Sequence, residues 1–231
     1  MDEQAFNARI AQRLGHSAPP PLPAWQAPVL QPPNLPAAGD WEALATRFVA
    51  ELTQLNAGAE RVATAAAVRP AVLAALQKVE ARRVAVWRDP LLAACGLLDL
   101  PGVETLIWDE ALGEPELRRL AAACDAGITG ADAGVAETGS LLYTPAPGRG
   151  RMAGVLPWLH VSVLPVERLL PSVPDLFRWL SRQAAAGAFP GGPGMPSMAG
   201  INTGPSRTAD IQSKLVLGAH GPGAIHAVLV G

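Results

Sequence analysis

The chain has 231 residues, enough for one sizeable core, with 49% apolar and 16% charged residues. Lys plus Arg is 18 and Asp plus Glu is 20, a net charge of -2, so no global field draws the chain to nucleic acid or an anionic membrane. Cys95 and Cys124 are its two cysteines and have no CxxC partner, which excludes iron–sulfur and zinc frameworks; no apolar run approaches the ~20 residues of a bilayer span.

The start, MDEQAF, lacks the basic stretch and apolar core of a secretory signal, and the cysteines read as small buried thiols, so the chain is expected in the cytoplasm. Residues 2–14 read as a short helix with Ala5, Phe6, Ile10 and Leu14 near one face. The prolines of 18–38 forbid a regular helix or a central strand and predict a stiff, extended arm. Trp25 and Leu30 imply that the arm packs, either on its own domain or on a second subunit, so a homo-oligomer is one of two outcomes.

Asp40 is a good N-cap for a helix whose stripe is Trp41, Leu44, Phe48, Leu52 and Leu55. Strand-like segments at 61–66, 83–87, 103–108, 126–129, 141–144 and 160–165 then alternate with helices entered by Pro70, near 90–97 and over 114–124. This alternation predicts an α/β fold, an open and mainly parallel sheet flanked by helices. Two parts follow: an N-terminal helix and Pro-rich arm over 1–39, and an α/β domain over 40–231. A helix at 173–186 precedes a Gly- and Pro-rich loop at 187–200, which reads as a surface connection or a lid. The chain closes with a strand, a short helix beginning at Arg207 and a final strand at 224–230.

Candidate chemistry concentrates in 127–154, where seven glycines interleave with charged residues. Gly148, Gly150 and Gly154 give GxGxxxG, one residue too long for the dinucleotide fingerprint, and no GxxxxGK[ST] occurs. Ser206 lies in T-G-P-S-R, not in G-x-S-x-G, and reads as the cap of the helix at Arg207. His16, His160, His220 and His226 have no metal spacing, so no metal site is expected; His160 and His220, at strand edges, are the better site candidates.

Arg207 and Asp210 can pair on one helical face, or Arg207 can join Ser206 and freed backbone N–H groups in binding an anion while Asp210 orients it. Glu137 can hold a turn through backbone N–H groups or act as a nucleophile or general base; a site role is favoured, whereas for Asp132 a structural one is. Arg149 and Arg151, in P-G-R-G-R, bring two cations near the proposed anion site.

The segments GITGADAGVAETGSLL, PGRGR, HVSVLP and GPSRTADIQSKLVLGAHGP, in this order, resemble the LUD-domain family, and within it the lactate-utilisation C (LutC) branch. The resemblance covers about residues 40–231. It implies a fold similar to the NagB/RpiA/CoA-transferase group and a part in bacterial oxidation of L-lactate to pyruvate. It also implies two iron–sulfur partner proteins, LutA-like and LutB-like. This chain would carry no cofactor, the clusters residing in those partners. The family's motif positions fall on Gly130, Asp132, Glu137, Thr138, Gly139, Arg149, Gly204, Ser206, Arg207, Thr208, Asp210 and His220.

The expectation is a two-part anion pocket, the glycine-rich stretch on one side and the 204–210 turn on the other, with Glu137 nearest any chemistry. Two alternatives stand beside it. One is a stand-alone enzyme of the CoA-transferase or phosphate-sugar-isomerase class using Glu137, the other a non-catalytic regulatory or assembly subunit.

Overall fold

A computed structural model describes residues 3–17, 35–189, 194–209 and 215–231. Contacts divide the chain into two units, residues 1–33 and 34–231. In the first, α1 (Glu3–Arg13) and the turn after it carry Phe6, Ile10 and Leu14 at four-residue spacing, all exposed. Most of the expected Pro-rich arm, from 18 to 34, lies outside the described residues.

In the second unit, α2 (Trp41–Gln54) begins where the Asp40 carboxylate accepts the Ala43 N–H at 3.1 Å. Leu44, Phe48 and Leu52 form its buried stripe, whereas Trp41 turns outward. β1 (Gly58–Val62) and α3 (Ala65–Gln77) follow, both placed earlier than expected, so that Pro70 lies inside the helix and does not open it. The stripe of Val68, Ala71, Val72, Ala75 and Leu76 starts before the proline, and its packing outweighs one lost backbone hydrogen bond.

β2 (Arg83–Val86), α4 (Pro90–Ala94), β3 (Glu104–Ile107), α5 (Glu114–Ala122) and β4 (Ala126–Gly130) match the expected alternation. Next come β5 (Ala133–Val135), β6 (Ser140–Tyr143), β7 (Leu159–Pro165), β8 (Leu169–Leu170) and α6 (Val173–Ala185). The chain closes through β9 (Gly200–Asn202), β10 (Arg207–Thr208), β11 (Val216–Leu217) and β12 (Ala224–Val230).

Six strands form one parallel sheet in the order β1-β12-β7-β4-β2-β3, as the alternation requires. β4 and β7 are buried along their whole length, which is why they read as mainly apolar runs. A second sheet, β8-β5-β6-β9, packs Ala133, Val135 and Leu142 against Leu176, Leu180 and Ala184 of α6. The β5–β6 turn requires Gly139: its φ is +63°, and an added Cβ would lie 2.8 Å from the Leu52 nitrogen.

The expected helix at Arg207 is replaced by β10, paired antiparallel with β11. The Ser206 N–H donates to the Pro222 carbonyl at 2.9 Å, and the Ser206 carbonyl accepts the Gly218 N–H at 3.0 Å. Backbone groups that would open a helix are therefore committed to the 216–222 segment. Among the described residues no helix is long and apolar enough to cross a membrane.

Candidate functional site

Parallel pairing sets Gly127 opposite His160 and Thr129 opposite Ser162, so all four face one side of the sheet. Three are polar groups in strands that are otherwise apolar, and Thr129, His160 and Ser162 are buried. Gly127 lets the short turn Arg151–Gly154 lie directly on β4: an added Cβ would sit 1.6 Å from the Ala153 carbonyl oxygen. The glycine density around this point thus serves close approach of backbone to sheet.

Tyr143, at the end of β6, covers the polar residues. Its ring centroid is 5.2 Å from that of His160 and 6.1 Å from Trp87, edge-on to the indole. His160 Nε2 shares a 2.8 Å hydrogen bond with Thr129 Oγ1. Burial pushes the imidazole pKa down to about 4, so the ring is neutral at pH 7. Burial raises the Tyr143 pKa, and the phenol keeps its proton. Among the described residues Tyr143 Oη, His160 Nδ1, Ser162 Oγ and Arg149 Nε make no hydrogen bond of good geometry, although the Ser162 and Thr129 hydroxyls lie close enough to Tyr143 to oppose the rise of its pKa. Such atoms cost stability unless something else meets them.

Beside the polar residues, Arg149 is held on three sides. Its Nη2 donates to Asp132 Oδ1 at 2.7 Å, its Nε lies 3.7 Å from Asp89 Oδ2, and its guanidinium stacks 4.7 Å from the Trp87 ring centroid. The other Asp132 oxygen accepts the Thr144 N–H and hydroxyl, both at 2.7 Å. Two carboxylates therefore more than offset one guanidinium. Arg151 differs: it is exposed, and its Nη1 donates to the Met198 sulfur at 3.6 Å. Among the described residues no carboxylate pairs with it.

These side chains enclose a cavity of about 40 Å³, space for roughly three water-sized groups. Thr129, Tyr143 and His160 are its polar wall, Trp87 and Val155 its apolar one, and Arg149 and Arg151 its cations. Arg149, Arg151, Val155 and Met198 also line an open groove of about 700 Å³, so the cavity continues into solvent-facing space. Trp87, Asp89 and Asp132 directly follow the carboxyl ends of β2 and β4, the side on which open α/β sheets bind ligands.

The other motif residues lie apart from this cavity. Gly130 approaches Asp89, with an added Cβ 3.7 Å from its carboxylate. Glu137 Oε2 accepts the Val173 N–H at 3.0 Å, at the N-terminus of α6. Thr138, Ser140 and Thr203 form a hydroxyl chain with both links at 2.6 Å, and Gly139 and Gly204 abut Leu52 and Leu55. Arg207 donates to the Leu55 carbonyl, just past α2, and Ser206 Oγ accepts the His220 N–H at 3.1 Å. Thr208 is buried in β10, and Asp210 lies outside the described residues. The cavities that Arg149 lines include none of Gly204, Ser206, Arg207, Thr208, His220 or Glu137. The two halves expected to face each other are thus separate features: one encloses the cavity, the other surrounds the end of α2.

Sequence reasoning missed Trp87, Thr129, Tyr143 and Ser162. The available signal was polar residues inside two otherwise apolar strands, Thr129 in β4 and His160 and Ser162, two apart, in β7. The cysteines stand outside this site: burial pushes Cys124 up to about 11 and raises Cys95, which keeps both as thiols.

A family model described as the LUD domain matches residues 45–230. Lactate utilization protein C of Halalkalibacterium halodurans is 35% identical over 148 residues, 64% of this chain and 62% of the relative. The protein of the same name from Bacillus subtilis is 28% identical over 154 residues, again 64% and 62%. An uncharacterized protein, YkgG, of Escherichia coli is 35% identical over 117 residues, 51% of this chain and 48% of the relative. The chain therefore spans less than two thirds of these relatives' lengths. A crystal structure of a DUF162 family protein from Deinococcus radiodurans shares the fold, with a TM-score of 0.58, 17% identity, and coverage of 83% of this chain and 98% of that one.

Proposed function

The chain belongs to the LUD-domain family, and from that premise we propose that it is a subunit of a bacterial L-lactate utilisation system that binds a small anionic ligand. The relatives named lactate utilization protein C supply the process. One observation carries the binding role: a small cavity walled by Thr129, Tyr143 and His160 opens beside Arg151, a cation paired with no carboxylate among the described residues. The polar side chains of the wall favour a polar ligand, and the guanidinium at the opening favours a negative one. The small volume favours a ligand of few atoms, with the groove as its route of entry.

In this reading Arg149 shapes the wall, fixed by Asp132, Asp89 and Trp87, and Arg151 supplies the attraction. Oxidation of L-lactate to pyruvate releases two electrons, and LutA-like and LutB-like iron–sulfur proteins would accept them. This chain would bind the substrate or product and keep water from it. Titration calorimetry of the purified chain with L-lactate, pyruvate and inorganic phosphate tests the binding role. At least one should bind, and Arg151→Ala should weaken it about tenfold, the worth of one charge-assisted hydrogen bond. Lactate-dependent electron transfer by the two partners, measured with and without this chain, tests the process. No binding at millimolar ligand, together with electron transfer indifferent to the chain, would sink the reading.

A further inference from the structure

The loops that leave β2 and β4 run in opposite directions. β2 lies between β3 and β4, and its chain continues through α4 to β3, whereas the chain leaving β4 passes through the second sheet to β7 on the other side. Their divergence opens a crevice at the carboxyl ends of two neighbouring parallel strands, the place where open α/β sheets take ligands. A pocket of about 450 Å³ lies there, lined by Asp89 after β2, Asp132 after β4, Arg168, and Trp179, Gln183 and Phe189 from α6 and just beyond it. It shares Thr144 and Arg149 with the cavity that Arg151 opens and is otherwise separate from it.

The polar groups of this pocket differ in what they still offer. Both oxygens of Asp132 are engaged, by Arg149 and Thr144. Asp89 is half free: its Oδ1 accepts the Leu91 N–H at 2.8 Å, while Oδ2 makes no hydrogen bond among the described residues and lies 3.7 Å from Arg149 Nε. Its side chain keeps 13% exposure and lines the pocket, so a ligand can reach it. Arg168 is exposed and donates to the Ala131 carbonyl at 3.1 Å. Among the described residues no carboxylate pairs with it. Trp179 and Phe189 add an aromatic wall.

A small anion would meet Arg168 and leave most of this space to water. A wholly apolar ligand would strip water from Arg168 and Asp89 without replacing its hydrogen bonds. A molecule with an anionic group, neighbouring hydroxyls and a flat ring meets all three features. A guanidinium forks onto phosphate oxygens, a carboxylate at a strand end accepts from ribose hydroxyls, and aromatic side chains stack on a base. We propose that the crevice binds a nucleoside monophosphate group, with Arg168 on the phosphate, Asp89 Oδ2 on the ribose hydroxyls and Trp179 against the base. This arrangement needs no glycine-rich fingerprint, because the phosphate meets a side chain and not a helix N-terminus. A free nucleotide and the nucleotide end of a dinucleotide have this chemistry in common. Either is a second ligand, whose binding does not depend on the small anion at Arg151.

Calorimetry on the full chain with AMP, ADP-ribose, adenosine and ribose 5-phosphate tests the site. AMP should bind at least about tenfold tighter than adenosine, which lacks the phosphate, and than ribose 5-phosphate, which lacks the base. ADP-ribose binding more tightly than AMP assigns the pocket to a dinucleotide, and binding more weakly assigns it to a free nucleotide. Arg168→Gln can still donate to Ala131, and Asp89→Ser can still cap α4, so both should fold. The first should weaken AMP about tenfold and leave adenosine unaffected, whereas the second should weaken both alike. Should either variant fail to fold, the four ligands on the wild type carry the comparison. No binding of AMP or ADP-ribose at millimolar concentration overturns the proposal. Ribose 5-phosphate binding as tightly as AMP overturns it too, as does AMP affinity unchanged in both folded variants. A tenfold loss of AMP affinity in Arg151→Ala would place the nucleotide in the other groove and equally overturn it. Small-anion binding is read separately, with L-lactate, pyruvate and inorganic phosphate, so the two sites can fail independently.

Discussion

Glu137 shows how one residue's chemistry depends on what lies across from it. Its place in a glycine-rich turn suited a nucleophile or a structural carboxylate, with the site role favoured, because sequence does not reveal the partner. In the fold its Oε2 meets the first N–H of α6, alongside Ser172, whose hydroxyl accepts the Asp175 N–H. A carboxylate there offsets the positive end of the helix. Glu137→Gln should therefore cost about 0.5–1 kcal/mol, seen as a fall of roughly 1–4 °C in melting temperature, with ligand affinity unchanged. His160 was legible as a site candidate, but its ionisation was not, since burial depends on the covering turn and on Tyr143. Its pKa falls from 6.5 to about 4, so between these values the unfolded chain holds a proton that the folded one does not. Stability is unaffected by this group above about pH 6.5 and declines as pH falls toward 4, by on the order of 3 kcal/mol in total. Urea unfolding at pH 7, 5.5 and 4.5 should register that loss, and His160→Asn should flatten the part of the slope that belongs to the imidazole.

Among the elements, those that carry their own pattern were legible. α2 has a cap and an apolar stripe, α6 the same, and β7 and β12 are long runs of buried residues. β5, β8, β10 and β11 are two or three residues long, too short for any local periodicity to announce them. The same physics removed the expected helix at Arg207: Ser206 is bonded to Pro222 and Gly218, residues whose proximity only the fold provides. Arg207 in turn donates to the Leu55 carbonyl, one of the acceptors left open at the end of α2. Arg207→Ala should lower stability by about 1 kcal/mol through that lost bond, while affinity for small carboxylates stays at the wild-type level. A tenfold loss of affinity in this variant would instead return the 204–208 segment to the binding site.

Across the whole molecule, strand order decides both stability and site. β7 and β4 lie inside the sheet, where their backbone bonds and both faces are shielded, while β1 and β3 are its edges. Amide hydrogen exchange should be slowest in β4, β7 and β12 and at least about tenfold faster in β3, matching the lower cost of opening an edge. Fast exchange in β7 would contradict the order. From the sequence alone came the alternation of strands and helices, hence a parallel α/β sheet, the family resemblance, and the cluster of charged and glycine residues at 127–154. The sheet and the cluster follow from local periodicity and composition, and the resemblance from the order of its motifs, all of which the chain carries locally. Which charges remain unpaired, which glycines pack and which polar atoms share a cavity came only from the tertiary structure. They depend on contacts between residues far apart in the chain. Arg149 and Arg151 are two residues apart, yet Asp132 and Asp89 hold the first, while no carboxylate among the described residues pairs with the second.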